Sequence, residues 1–410
     1  MVARPVADDA AYGARWSGLG GSGTVTLEAA EVIRVDLAFS DPVETAVGTH
    51  RRRPVVLVHL SGRGPDGAQL DGWGESAALV DSTYDAEDAA STFTTLEQEL
   101  LPALAARSDR SGALVPVGDL TPLLGDGTHP FAYSAVEMAV ADLHLRAEQR
   151  SFAALLGVEG HRVAPGAVVG LPGSTEELIE RCGRLASAGF VRVKVKIAPG
   201  AESVVARAAR PLTGSGLLVQ VDANGAYGDD AAERLSVFDG AGLVCIEQPL
   251  GRQDLEGHRR LAELVETPIC LDESLDSPHS VVRAVETGAC SVVCVKPARL
   301  GGIGAALEVI GWCAQHGVPW WIGGMFESGY ARGVNRALAA LPGGPLPGDL
   351  APVATYLAGD LVPAVDGAID PATGTLSLPV AAGIGMGPAP ELASVRSQVT
   401  RRASVTVGTT

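Results

Sequence analysis

Five consecutive apolar runs in the middle of this 410-residue chain end in ionisable residues, in the order lysine, three acids, lysine. The runs close on Val193-Lys194-Val195-Lys196, Val221-Asp222-Ala223-Asn224, Ile246-Glu247-Gln248-Pro249, Leu271-Asp272-Glu273-Ser274 and Val295-Lys296-Pro297. A further run leads into Gly323-Gly324-Met325-Phe326-Glu327-Ser328-Gly329. Asp222, Glu247 and Asp272 offer oxygen ligands, and hard oxygen donors favour Mg²⁺, with Mn²⁺ as the alternative, over Zn²⁺. Three carboxylates gathered without a cation would repel and raise their own pKa values. Any one of them alone is equally well read as a helix N-cap; three in register point to an ion. Lys194 and Lys196, two apart on a strand, face one side and leave Val191, Val193 and Val195 for the other. A lysine beside another cation has a lowered pKa and can act as a neutral base near pH 7. The plainer alternative, a solvated edge strand, fits an interior strand poorly. Lys296 enters from the far side of the acids, where on its own it would read as an ion-pair partner. Together these parts describe proton abstraction beside a carboxylate. The substrate carboxylate binds the metal, its α-proton lies between Lys196 and Lys296, and an enediolate results whose charge the metal stabilises.

Strands that end at one common mouth are needed to deliver such side chains. From Val163 onward, short apolar strands (166–170, 191–197, 217–221, 243–246, 268–271, 291–295, 319–322) alternate with helical segments. The step is about 25 residues, the rhythm of successive strand–helix units. Near-continuous apolar strands between helices imply a parallel sheet covered on both faces, and seven or eight units in succession favour a TIM-like barrel. An open doubly wound sheet is the alternative, but no G-x-G-x-x-G or G-x-x-x-x-G-K-[ST] follows any strand. Upstream, strand-like runs at 32–37 and 54–60 enclose a polar loop, 40–53, and helical periodicity follows at 87–106 and 130–150. This reads as an α+β unit. The Gly- and Ala-rich residues 1–27 are expected to be a disordered extension. The expected division is therefore 1–27 extension, 28–160 the N-terminal part of an α+β capping domain, 161–357 the barrel, and 358–410 a segment returning to the cap.

Composition narrows the partners. The chain is 46% hydrophobic and 19% charged with a net charge of -17. That charge gives no footprint for nucleic acid and would be repelled by an anionic membrane. No apolar stretch reaches the ~18 residues of a membrane span, and residues 1–25 do not read as a signal peptide. Six scattered cysteines without a C-x-x-C pair suit a reduced, cytoplasmic chain. The expected partner is a small carboxylate, and a homo-oligomer is compatible with all of this.

The motifs V-K-V-K-I (193–197), V-D-A-N (221–224), I-E-Q-P-L (246–250), I-C-L-D-E-S (269–274), V-K-P-A-R-L-G-G (295–302) and G-G-M-F-E-S-G (323–329) carry a resemblance. Over about residues 30–390 the chain resembles the o-succinylbenzoate synthase / N-succinylamino acid racemase family, in the muconate-cycloisomerase-like branch of the enolase superfamily. Sites of that superfamily pair a Lys or His base with Mg²⁺ at an ene-diolate. The resemblance implies an α/β fold, a modified (β/α)7β TIM barrel under an α+β cap. Lys196 would be the main acid/base, Lys194 its modulator and Lys296 the lysine on the opposite face. Asp222, Glu247 and Asp272 would hold Mg²⁺, with Asn224 and Glu273 supporting them. Arg299 stands where racemising members often carry an arginine, and a plain surface arginine is the alternative. Gly324, Met325, Glu327 and Ser328 would line the pocket.

Two departures bear on the substrate rather than the chemistry. The loop 41–49 carries Val43 and Glu44 where many relatives have an aromatic and a basic residue, and the extension before residue 28 has no expected counterpart. Arg51-Arg52-Arg53 reads as a solvated hairpin turn, with an anion guide as the alternative. The leading activity is syn dehydration of a cyclohexadiene carboxylate to o-succinylbenzoate, a step of menaquinone synthesis. Racemisation of N-acylamino acids comes next and needs both Lys196 and Lys296; muconate-type cycloisomerisation follows. Dipeptide epimerases usually carry an Asp-x-Asp-type motif that 325–328 lacks. An inactive barrel binding protein would miss a ligand or a lysine, and all six are present. A Schiff-base aldolase would leave three carboxylates without a role.

Overall fold

The computed structural model describes residues 10–21, 25–45, 48–125, 128–362, 368–384, 392 and 396–407. An antiparallel sheet opens the chain with strands Thr26–Thr45, Gly48–Arg63 and Gln69–Ser76, and the late strand Val399–Thr406 returns to pair with the first of them. One face of this sheet packs on the helix Pro130–Ala147. The approach is close because Gly72 and Gly74 carry no Cβ: at Gly74 one would strike the Ala135 carbonyl, at Gly72 that of Ala139. The helix is buried from Phe131 to Leu145. Such a helix belongs in an interior.

Where a polar loop was expected at 40–53, the first two strands continue as a long hairpin. Val43 pairs with His50, Glu44 with Thr49 and Thr45 with Gly48; residues 46–47 lie outside the described residues. Nor is Arg53 in a solvated turn. It is 1% exposed, and it donates to the carbonyls of Ala77 (2.9 Å), Ala78 (2.6 Å) and Phe326 (3.2 Å). Five fixed donors make arginine suited to gathering several carbonyls at once, so Arg53 is a buried strut between the antiparallel sheet and the Gly-rich 323–329 segment.

The expected extension also needs correction where it is described. Ala10–Ser17 is a helix, and Trp16 and Leu19 are buried. Trp16 stacks edge-on to Phe152 and donates 2.9 Å to Glu137. The Leu19 carbonyl accepts from Val117 N–H at 3.0 Å. Composition suggested disorder because Gly and Ala dominate; a single buried tryptophan decides otherwise, since an aromatic of that size removes 150–250 Å² from water.

Seven parallel strands form the second sheet: Gly166–Val169, Arg192–Lys196, Leu218–Asp222, Ile246–Glu247, Ile269–Leu271, Val292–Val295 and Trp320–Ile322, in sequence order across the sheet. All seven were legible as apolar runs. The sheet curls. Segment 345–349 hydrogen-bonds to both edges: Leu346 N–H to Trp320 O (2.7 Å) and Asp349 N–H to Ile322 O (2.9 Å) on one side, Gly166 N–H to Gly348 O (2.6 Å) on the other. Register carries the chemistry of the ends, for Lys196 lies opposite Asp222, and Asp222 opposite Glu247. Among the described residues no helix is long and apolar enough to cross a membrane.

Candidate active site

Each acid and lysine sits where its strand ends, and the left-handed residues that follow show how sharply the chain turns there. Asn224 (φ 45°), Gln248 (φ 39°) and Phe326 (φ 57°) are non-glycine residues with positive φ just beyond three of these ends. Such strain persists only where surrounding contacts enforce it. At Gln248 those contacts are visible: its Oε1 accepts from Asp272 N–H (3.0 Å) and Ser274 N–H (3.2 Å), and its Nε2 donates to Ser274 Oγ (2.7 Å).

Lys194 and Lys196 face one side, as their spacing requires, and both reach Asp222 Oδ2, at 3.5 and 2.6 Å. Lys194 is buried. It also contacts Glu247 Oε1 (3.3 Å) and Asp349 Oδ2 (2.7 Å), and lies 4.7 Å over the Trp321 ring. Lys196 is the accessible one, with 32% of its side chain exposed, and it donates to Asn224 Oδ1 at 2.6 Å. Asn224 in turn donates to Glu273 Oε1 at 2.9 Å. At the other end of the row Lys296 donates to Asp272 Oδ2 at 2.8 Å and to Tyr84 Oη at 2.7 Å, and Tyr84 Oη donates to the same Asp272 oxygen at 2.6 Å. Arg299 is not on the surface. It is 1% exposed, bonds the second oxygen of Asp272, and holds Asp85 at 3.1–3.3 Å through Nε and Nη2.

The electrostatics follow from burial. Burial and then the neighbouring Asp222 push the Glu247 carboxyl well above its usual range. Burial alone would raise Asp272 as well, but Arg299 and Lys296 outweigh it and hold Asp272 well below. A lysine with a lowered pKa was expected. At Lys194 and Lys296 the reverse holds: burial pushes each ammonium down, but Asp349, Glu247 and Asp222 around Lys194, and Asp272 beside Lys296, raise both overall. Attraction to several buried carboxylates exceeds repulsion between the lysines.

The 323–329 segment divides. Gly324 packs its backbone against Arg332 and Asp349, and Met325 Sδ lies 3.9 Å from Arg299 Nη2. Glu327 and Ser328 are tied to other parts of the fold. Glu327 pairs with Arg332 (2.8 Å) and accepts from Asn335 (3.0 Å), while the Ser328 hydroxyl is bound to buried Glu75. Both were expected to line the pocket, and both are buried among these partners. Tyr84, Asp85 and Asp349 escaped the sequence reading, because they meet the site from other parts of the chain and have no local periodicity.

A family model described as enolase C-terminal domain-like matches residues 177–392. An N-succinylamino acid racemase from Amycolatopsis is 39% identical over 370 residues, covering 89% of this chain and 96% of that protein. The chain belongs to the o-succinylbenzoate synthase / N-succinylamino acid racemase family of the enolase superfamily. An o-succinylbenzoate synthase from Geobacillus kaustophilus is 32% identical, covering 88% and 93% of the two chains. A solved enolase-superfamily member from Listeria innocua superposes with TM-score 0.85 at 29% identity, over 94% of this chain and all of that one. Enzymes of this family are lyases or isomerases, and this chain is an enzyme of that type.

Proposed function

We propose that this family member removes the α-proton of a small carboxylate with Lys196 and that its main reaction is the dehydration that forms o-succinylbenzoate. The observation that supports this most is the row itself: Lys196 on Asp222, then Glu247, then Asp272 under Lys296. The segment 345–349, bonded to both sheet edges, is read as the eighth strand of a (β/α)7β barrel, and the antiparallel sheet with its helix as the cap of a cytoplasmic enzyme.

The residues fit a hard divalent ion. Three buried carboxylates stand together, burial and then Asp222 drive Glu247 toward its neutral form, and Glu273 Oε2 is buried without a hydrogen-bond partner among the described residues. A cation relieves such repulsion. Asp222, Glu247 and Asp272 would hold Mg²⁺, with Mn²⁺ as the alternative. When bound, the ion supplies positive charge to the substrate carboxylate as that group takes up the electron pair from the broken C–H bond. Lys196, accessible and oriented by Asp222 and Asn224, receives the proton. Lys194, buried against three carboxylates, fixes the positions of Asp222 and Glu247. Tyr84 and Asp272 hold Lys296 at the far end.

Racemisation of N-succinylamino acids is the second reading, and one observation favours it. Lys196 and Lys296 stand at opposite ends of the acid row, each on its own carboxylate, as two-base chemistry requires. A UV assay with Mg²⁺ and the cyclohexadiene substrate tests the first reading. Rapid, EDTA-sensitive loss of diene absorbance is expected. Without it the dehydration reading falls, and α-deuterium uptake by N-succinylamino acids in D₂O becomes the deciding measurement.

A further inference from the structure

Two buried side chains of the antiparallel sheet hold the turn that leaves the strand Trp320–Ile322. Glu75 lies on the strand Gln69–Ser76 and is 1% exposed. Its carboxylate accepts from Ser328 N–H at 2.8 Å, from Ala331 N–H at 3.4 Å and from the Ser328 hydroxyl. The Ser328 oxygen in turn accepts from Tyr330 N–H at 3.2 Å, which directs the hydroxyl proton at Glu75. These three donors open the helix Gly329–Ala339, where a carboxylate fits and an amide N–H₂ would face another donor. Arg53, on the neighbouring strand Gly48–Arg63, donates to the Phe326 carbonyl at 3.2 Å. Phe326 is the non-glycine residue at φ 57° in this turn, a conformation that persists only where contacts enforce it. Arg53 on its carbonyl and Glu75 two residues further on supply such contacts.

The turn rests on Lys296. Gly323 lies against the lysine stem, for a Cβ there would come within 2.8 Å of Lys296 Cγ and Cε. Met325 packs with Ala77, Ala78 and Phe131, and Tyr84 lies against the same cluster. Lys296 donates to Tyr84 Oη at 2.7 Å. We propose that Glu75 is a positioning residue for Lys296: by fixing Ser328 it fixes the 323–328 turn, and the turn holds the Lys296 ammonium on its side of the substrate α-carbon. The inference rests on the two-lysine reading above, and Glu75 itself touches no substrate. Coupling over this distance needs an unbroken chain of packed groups, and every step from Glu75 to Lys296 is a direct contact or a few residues of one tight turn. Lys196 stands outside this chain, on Asp222 and Asn224. Loosening the turn should therefore misplace one lysine and spare the other. A misplacement of about 1 Å at a reacting group costs roughly 10²-fold in rate.

The test follows α-deuterium uptake in D₂O by the full-length enzyme with Mg²⁺, from each enantiomer of N-succinylphenylalanine separately. Burial raises the Glu75 carboxyl to about 7, so the assays are run above that pH, where it is ionised. Lys296→Ala identifies the enantiomer that presents its proton to Lys296, since uptake from that one alone is lost. In Glu75→Gln, uptake from the same enantiomer should fall by roughly 10²-fold, while uptake from the other stays near the wild-type rate. Ser328→Ala removes one of the donors that Glu75 holds. It should give the same one-sided loss, and it carries the test if Glu75→Gln folds poorly. Equal losses from both enantiomers overturn the proposal, because a tie that only stabilises the fold does not distinguish the two faces. Unchanged uptake, or a loss confined to the enantiomer facing Lys196, overturns it as well. A wild type that exchanges neither enantiomer overturns the two-lysine reading itself, and the proposal with it.

Discussion

Lys196 and Lys296 look symmetric in the row, but their surroundings differ. Lys196 keeps about a third of its side chain in solvent and touches one metal-ligand candidate, Asp222. Lys296 is buried, and Asp272 and Tyr84 fix its position. Dehydration needs a base on one face only, with the second lysine serving as a cation. Racemisation needs a proton taken on one face and returned on the other. Lys196→Ala should therefore abolish both reactions. Lys296→Ala should lower racemisation of either enantiomer by roughly 10²–10⁴-fold, the usual weight of an acid–base group, and depress dehydration far less. Parallel UV and polarimetric assays check this, and racemisation that survives in Lys296→Ala would remove it from the two-base role. The lysines and acids were legible because a strand's period and its last residue determine where a side chain points. Tyr84 and Asp85 were not, for they reach Asp272 and Arg299 from 188 and 214 residues away in the chain. Nor was the direction of the Lys194 shift, to which Asp349, a residue no motif marks, contributes most among the neighbouring carboxylates.

At the scale of elements, the seven strands of the parallel sheet and the helix at 130–147 were readable, since burial on both faces leaves unbroken apolar runs. The helix Ala10–Ser17 was not, and its packing shows what it does. Trp16 donates to Glu137 Oε1, and Glu137 also accepts from Ile303 N–H (2.5 Å) and Gly304 N–H (3.1 Å), the first turn of the helix Ile303–His316. The segment thus covers a carboxylate that caps the helix Ile303–His316, just after Lys296 and Arg299. Burial outweighs these donors and pushes Glu137 up to about 7, from 4.5. The protonated form is favoured in the folded state relative to the unfolded chain, so its contribution is fully present below about 4.5 and is lost as pH climbs to about 7. The loss is on the order of 3 kcal/mol. Thermal unfolding from pH 5 to pH 8 should show stability falling less steeply in Glu137→Gln than in the wild type. Part of the slope should remain, because Glu75 is also pushed up to about 7. Identical slopes in the two proteins would mean that Glu137 is already ionised at pH 5.

For the whole molecule, the binding of an ion and the stability of the fold are one measurement. The three acids belong to three neighbouring strands, so an ion shared among them ties the sheet together in the folded state and has no counterpart in the unfolded chain. At a hundredfold excess over its dissociation constant Mg²⁺ should add about 2.7 kcal/mol, a rise of a few degrees in Tm for a large domain. Asp222 is the ligand to remove, because it is the candidate that Lys196 touches. Asp222→Ala should abolish the Mg²⁺ shift, which thermal unfolding with and without Mg²⁺ checks. If Asp222→Ala keeps the full Mg²⁺ shift, the hard ion sits on Glu247 and Asp272 alone. Lys196 would then lie too far from it for the proton transfer proposed here, and the row would have to be read again from the Lys296 end.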